Sequence, residues 1–302
     1  MIPKFPEFKS LEITDRKEII GYTSKFLPYS DFNFTSMWSW DIGNGFRISL
    51  LNDNLVVMFI DYISGEPFLS FLGTNEVLGT ISTLLNYAKD AGIDSTLRLL
   101  PEDVIKEVSD QQVEFQIDED RDGFDYILSV EKIDGFKGNK LRGKRNFMNR
   151  CERMYLPEIK ILDTQDSQIK LEILSITKDW MDERGATGED PNLKELSAID
   201  KLLNGGHIPN ITIIGLYIQD KMKGFVIGED LRNGYAMLHF EKVASVSLVG
   251  AYAYLMHSFA VVFRNKGCES INYEQDLGIE GLRKHKESLL PTFAKKYSIK
   301  IK

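Results

Sequence analysis

The sequence predicts an α+β protein of mixed sheets flanked by helices, and three observations lead there. First, residues 234–302 read as strand, loop, helix, strand, helix, strand: GYAMLHFEKV, ASVSLVG, AYAYLMHSFAVVFRNKG, CESINYEQD, GIEGLRKHKESL and KKYSIKIK. Second, EPFLSFLG, EVLGTISTLLNYAKDAG, STLRLLP, EDVIKEV and FDYILSV run strand, helix, strand, helix, strand in the first half, a shorter version of the same order. Third, a hairpin precedes each run. The repetition predicts two similar domains in tandem, 1–130 and 158–302, joined by a basic connector over 131–157.

The elements follow from local chemistry. FRISLL and LVVMFI flank the turn-prone Asn52-Asp53-Asn54, which predicts a hairpin over 46–60, followed by a strand at 67–72. Over 76–91, Val77, Ile81, Leu84, Leu85 and Ala88 recur at helical spacing, and Gly92 stands where a C-cap belongs. The run DFNFTSMWSWDIG places Phe32, Phe34, Trp38 and Trp40 in a short segment, mostly core by expectation, with one ring a candidate for lining a substrate entrance. In the connector, GKRNFMNRCERMY is a predicted helix closed by Leu156-Pro157.

The second half begins with a strand at PEIKIL and a helix from Ser167 to Glu183. Leu171, Leu174, Lys178 and Met181 mark one face of that helix and Ile169, Ile173, Ile176 and Trp180 another, so it is expected to be wedged between layers. A second hairpin joins NITIIGLYIQ to KGFVIGED around Asp220-Lys221. The next strand alternates Tyr235, Met237, His239 and Glu241 with Ala236, Leu238 and Phe240. After it, Leu248, Tyr252, Leu255, Phe259 and Val262 define the expected buried stripe of a long helix.

With 302 residues, 43% of them apolar, the chain can fill one large or two medium cores. MIPKFPEFKSLEITD holds no uninterrupted apolar stretch, and no run approaches the 18 or so residues of a spanning helix, so a cytoplasmic protein without a transmembrane segment is expected. Cys151 and Cys268 stand alone, without CxxC, which fits a reducing compartment and argues against a thiolate zinc site. A net charge of −8 and a pI near 5.2 argue against general nucleic-acid binding. A local polyanion site is still available: Lys137, Lys140, Arg142, Lys144, Arg145, Arg150 and Arg153 are opposed only by Glu152. Phosphate is their natural partner; the alternative is a solvated helix paired with the acidic run at 118–122.

Candidate chemistry lies in two segments. The loop from Ser247 to Gly250 opens the long helix, where backbone N–H groups and the positive dipole end attract phosphate or an oxyanion, although VSLVGA has one glycine and could equally be an ordinary connection. NYEQDLGIEGLRKHKES puts Asp276 beyond a strand end, Gly278 and Gly281 around a helix start, and Arg283 and Lys286 on one helical face, a set suited to an amine and to anions. A surface helix capped by Asp276 is the structural alternative. There is no GxSxG, and His207, His239, His257 and His285 lack metal-ligand spacing, so no metal is expected. His239, Glu241, Tyr273 and Glu274 are the candidates for proton transfer, with core or rim packing as the rival role for the first two.

The blocks FPEFKSLEITD, DFNFTSMWSW, LRGKRNFMNRCE and NYEQDLGIEGLRKHKESLLPTFAKKY, spread over nearly the whole chain, resemble the phosphatidylglycerol lysyltransferase C-terminal-domain family in its stand-alone cytoplasmic branch. The resemblance implies tandem GNAT-like domains, related to Fem-type aminoacyl transferases, and transfer of an activated aminoacyl group from aminoacyl-tRNA. It further implies that Arg142, Lys144 and Arg145 meet donor phosphates and that Asp276, Arg283 and Lys286 line the donor site. VASVSLVGA departs from the pyrophosphate loop of acetyl-CoA-dependent enzymes, and Glu274-Gln275-Asp276 departs from the corresponding strand end of the lipid synthases.

The expected function is an acyl or aminoacyl transferase whose donor, aminoacyl-tRNA or acyl-CoA, is a substrate and not a tightly bound cofactor, and whose acceptor is an amine or hydroxyl. Asp276, Glu241 and Tyr273 are its expected catalytic set, and Ser247, Gly250, Arg283, Lys286, Arg142, Lys144 and Arg145 its expected donor-binding set. A non-catalytic module binding tRNA ends, a nucleotide or a peptide is the alternative.

Overall fold

The computed structural model describes residues 1–62, 64–108, 114–183, 185 and 191–302. In chain order the elements are β1 (Lys9–Ser10), α1 (Arg16–Thr23), α2 (Phe34–Trp40), β2 (Arg47–Leu51), β3 (Asn54–Ile60), β4 (Pro67–Leu72), α3 (Val77–Ala91), β5 (Leu97–Pro101), α4 (Glu102–Lys106) and β6 (Phe115–Glu119). Then follow β7 (Asp125–Ser129), α5 (Val130–Ile133), α6 (Arg142–Tyr155), β8 (Glu158–Leu162), α7 (Ser167–Glu183), α8 (Pro191–Asn204), β9 (Ile211–Ile218), β10 (Lys221–Asp230) and β11 (Tyr235–Val243). The chain closes with α9 (Ala251–Asn265), β12 (Ser270–Asn272), α10 (Glu280–Glu287), β13 (Thr292–Ala294) and β14 (Lys296–Ile301).

Two compact units result, and their boundaries differ from those read off the sequence. The first comprises 1–125, 275–280 and 293–302; the second comprises 126–274 and 281–292. The closing strand β14, expected in the C-terminal domain, lies in the first unit between β5 and β6, antiparallel to both. Conversely β7, expected to end the N-terminal domain, pairs antiparallel with β12 in the second unit. The connector helix α6 also belongs to the second unit, where Met148 and Cys151 join the core. Periodicity identifies a strand but not the sheet that receives it, so these exchanges left no trace in the pattern.

In the first unit, β1-β2-β3-β4 form an antiparallel sheet and β5-β14-β6 a second. Asn52 and Asp53 both take left-handed φ, 52° and 59°, as a two-residue hairpin turn requires. The buried side of α3 is Val77, Thr80, Ile81, Leu84, Leu85 and Ala88, and it packs with Leu69, Phe71, Leu97, Leu100 and Ile299. Phe32, Phe34 and Trp38 are core, as expected, held by α2 and the turn before it. An ionic cluster is enclosed here. Lys296 Nζ meets Asp125 Oδ1 at 2.8 Å and also pairs with Asp31. Ser30 donates to Asp125 through its N–H at 2.7 Å and its hydroxyl at 2.5 Å, and Gln275 donates to Asp31.

In the second unit the sheet runs β7-β12-β11-β10-β9-β8, and the parallel pairing of β11 with β12 makes it mixed. The β9–β10 turn falls at Gln219-Asp220, φ 51° and 60°, one residue earlier than the sequence suggested. Helix α9 lies over this sheet through Ala251, Leu255, Phe259 and Phe263. The predicted stripe is thus rotated: Leu248, Tyr252 and Val262 are only partly buried. Glycines in β10 allow the close approach, since a Cβ at Gly228 would meet Phe259 Cε2 at 2.4 Å. Helix α7 packs by Ile173, Ile176, Trp180 and Met181 and leaves Leu171 62% exposed, so it is a one-sided helix and not a wedge.

Candidate active site

A cavity of about 390 Å³ opens in the second unit where β11, the loop after it, α6, α9 and α10 converge. Phe136, Phe147, Leu248, Val249, Met256 and Leu289 supply its apolar wall, and Glu241, Lys144, His285 and Ser245 its polar groups. The first turn of α9 contributes Gly250, Tyr252 and Ala253, so the positive end of a 15-residue helix faces the space.

Glu241 reaches the cavity because alternation along β11 puts it on the face of His239, two residues earlier. The Tyr273 hydroxyl donates to Glu241 Oε2 at 2.8 Å. The other oxygen, Oε1, is buried and accepts no hydrogen bond from the described residues. Burial pushes the Glu241 carboxyl up to about 7, against the Tyr273 hydrogen bond and the charges of Lys242, Lys144 and Lys286, which favour the carboxylate. Burial and the neighbouring Glu241 charge raise the Tyr273 phenol well above its ordinary value. Burial lowers the Lys144 ammonium, opposed by Glu241. His285 is pushed down to about 4 by burial and by Lys144 and Lys286, so its ring is neutral near pH 7. The wall therefore presents a carboxyl poised near neutrality, a half-buried cation and an uncharged imidazole.

Neighbouring groups fix this arrangement. Lys286 is buried on α10, and its ammonium donates to the Tyr273 carbonyl, with Nζ 4.6 Å from the centre of the Tyr273 ring. At the next residue, Glu274 Oε1 lies 3.2 Å from His239 Nδ1, while Nε2 of that ring lies 3.4 Å from Glu229 Oε2. Burial disfavours the imidazolium, but the two carboxylates outweigh it and hold His239 up at about 9. His239 is therefore a charged strut, not a base.

Several residues singled out from the sequence stand elsewhere. Asp276 is fully buried in the first unit, 3.2 Å from Arg121 Nη1, and its Oδ1 accepts the Gly278 N–H at 2.8 Å, which is turn chemistry. Arg283 is half-buried on α10 and Arg142 exposed on α6, and neither lines the cavity. Arg145 donates to the carbonyls of Phe136 at 2.7 Å and Gly138 at 3.3 Å, which ties down the loop before its own helix. Ser247 is exposed and hydrogen-bonds the Ser245 hydroxyl. Its loop is no open cradle: the N–H of Val246 goes to Glu183, that of Ser247 to Ser245 Oγ, that of Leu248 to Ser245 O and that of Val249 to Ser247 O.

Gly250 has a different reason to be glycine. Its φ is 82°, and a Cβ there would lie 2.0 Å from the Phe147 carbonyl oxygen, so α6 and α9 touch backbone to backbone. Of the predicted set, Glu241, Tyr273, Lys144, Gly250 and Lys286 come together, and His285, which the sequence offered only as a scattered histidine, joins them. Among the described residues there is no group of three or more His, Cys, Asp or Glu able to hold a metal, and no helix is long and apolar enough to cross a membrane.

Helix-flanked sheets with a mixed central sheet, and a cavity at the start of the helix following β11, define a GNAT-like α+β fold. The chain belongs to the family described as phosphatidylglycerol lysyltransferase, C-terminal, whose model matches residues 25–300. Among solved structures, a conserved protein of unknown function from Bacteroides thetaiotaomicron VPI-5482 is 25% identical, with 100% of each chain covered and a TM-score of 0.82. L-PGS from Bacillus licheniformis shares the fold at 14% identity and a TM-score of 0.64, over 99% of this chain and 93% of that one. FemX does so at 8% identity and a TM-score of 0.58, over 98% and 97%. Comparison with curated proteins finds no match.

Proposed function

We propose that the protein is an acyl or aminoacyl transferase that moves an activated group from a phosphate-bearing donor, an aminoacyl-tRNA or an acyl-CoA, to an amine or hydroxyl. The observation that carries this reading is Glu241: a carboxyl held near pH 7, with one oxygen fixed by Tyr273 and the other without a described partner, on a cavity wall beside Lys144. A general base works best when its pKa lies near the operating pH. Glu241 takes the proton from the acceptor as its nitrogen or oxygen attacks the donor carbonyl. The developing oxyanion faces Lys144 and the first turn of α9, groups whose charge or dipole favours it in a poorly solvated space. Collapse expels the tRNA hydroxyl or CoA thiol, which regains a proton from Glu241. Arg142, Arg150 and Arg153 on the exposed side of α6 suit the donor's phosphates, and membership of the family, together with the fold shared with L-PGS and FemX, favours an aminoacyl donor.

The test is transfer of a radiolabelled group from aminoacyl-tRNA and from acyl-CoA esters to an acceptor panel of amines and lipid hydroxyls. Turnover in the wild type, reduced about 10²–10⁴-fold in Glu241→Gln, is expected. Turnover that survives Glu241→Gln unchanged removes Glu241 as the base, and binding of tRNA without turnover on any donor would favour the binding-module alternative.

A further inference from the structure

From the wall of the same cavity, and resting on the transferase reading, we infer that the transferred acyl or aminoacyl group carries an apolar, uncharged side chain, and that the site discriminates against a cationic one such as lysyl. Most of the lining is apolar, with Phe136, Phe147, Leu248, Val249, Met256 and Leu289 as its larger side chains. A side chain laid against them leaves water at a gain of roughly 25 cal/mol per Å² of apolar surface. A buried ammonium needs a carboxylate partner. Glu241 is the one carboxylate among the described lining residues, and Lys144 on the same wall and Lys286 behind it already act on its charge. A further ammonium would meet like charges at that carboxylate and would occupy the oxygen that the base needs. His285 adds no anionic character, being a neutral ring. Both the apolar surface and the cationic surroundings of Glu241 therefore select the same class of substrate.

The experiment compares calorimetric affinities of L-leucinamide, L-phenylalaninamide and L-lysinamide, which share the α-amine and the carbonyl and differ only in side chain. The leucine or phenylalanine amide is expected to bind at least about tenfold more tightly than lysinamide, within the range that a hydrophobic pocket achieves. Phe147 lines the cavity yet is 52% exposed, so Phe147→Glu adds a carboxylate without burying one, and this variant is expected to narrow the ratio by raising lysinamide affinity. Equal affinities, tighter lysinamide binding, no binding of any amide, or a ratio unmoved by Phe147→Glu would overturn the inference. The transfer assay with Glu241→Gln reads the underlying reaction separately: lysyl transfer lost in that variant leaves the transferase standing and removes only the specificity.

Discussion

Tyr273 Oη stands 2.8 Å from Glu241 Oε2 and donates to it, so the residue just after β12 sets the proton affinity of a carboxyl on β11. The hydrogen bond favours the charged form and opposes the burial that lifts Glu241 to about 7. Bonds to charged groups are worth about 1.5–3 kcal/mol, equivalent to roughly one to two pH units. Tyr273→Phe should therefore move the Glu241 midpoint upward by about that much. In a kcat/KM profile the wild-type rise is expected near pH 7 and the variant's rise above pH 8. A profile that keeps its midpoint in Tyr273→Phe would show that the phenol does not act through Glu241.

The same carboxyl lowers the stability of the fold. Its pKa is raised on folding, from 4.5 to about 7, so ionisation is harder in the folded chain. The unfolded chain releases this proton first as pH rises, and the penalty grows between about 4.5 and 7 and persists above. Glu241→Gln keeps the acceptor for Tyr273 and removes the charge. It should stabilise the protein on the order of 1–3 kcal/mol at pH 8 and by much less at pH 4. Thermal melts at the two values check this, and equal shifts at both would contradict it. Such a gain in stability at the cost of activity is usual where a functional group is held desolvated.

His239 makes stability fall with rising pH as well, in a higher window, but by losing a stabilising charge and not by gaining a penalty. Its folded pKa, about 9, exceeds the ordinary 6.5 because Glu229 and Glu274 overcome the effect of burial. The stabilisation is complete below pH 6.5 and is lost as pH rises through about 9, on the order of 2 kcal/mol in all. Melting temperatures recorded from pH 6 to 10 should fall across that window in the wild type. In His239→Gln the fall attributable to this group should vanish, although the variant is less stable at pH 6, with two carboxylates left without their cation. An unchanged slope would mean that His239 is neutral in the folded protein.

How much of this was legible in the sequence depends on whether a feature is local. The hairpin at Asn52-Asp53 and the helix starting at Ala251 were legible, because turn residues and apolar spacing act over a few positions. Helix α8 and strand β6 were legible too, in the helical spacing of Leu193, Leu196, Ile199 and Leu203 and in the alternation of Phe115 and Ile117, although neither was among the expected elements. The exchange of β7 and β14 between sheets, and the use of the Val246 N–H by Glu183, 63 residues earlier, depend on distant partners that no local pattern encodes. Asp276 misled for the same reason: an acidic residue after a strand suits a substrate amine, but Arg121, 155 residues away, takes it. Glu241 was legible by alternation with His239 along its strand and Tyr273 by its place at the next strand end, but that the two meet depends on the pairing of β11 with β12, which the sequence does not display.

The first unit holds its tail through one fully buried cation, which makes Lys296→Met a severe test of that unit. Lys296 opens β14, and burial alone would lower its pKa, but Asp125 and Asp31 outweigh this and raise it. Burial, with the charge of Asp125, lifts Asp31 to about 6 even with Lys296 beside it. Removing the ammonium leaves both carboxylates enclosed without their cation, and breaking a buried pair from one side costs about 3–5 kcal/mol. The triple variant Lys296→Met, Asp31→Asn, Asp125→Asn removes the charges together, and should recover much of that loss, because an uncharged cluster carries no penalty for desolvated ions. Urea unfolding at pH 7.5 separates the cases: a large fall in midpoint for Lys296→Met with recovery in the triple variant is expected. Full stability in the single variant would mean that the cluster does not bind β14 to the unit by charge, and that its ladders to β5 and β6 and the apolar contacts of Ile299 keep the strand in place.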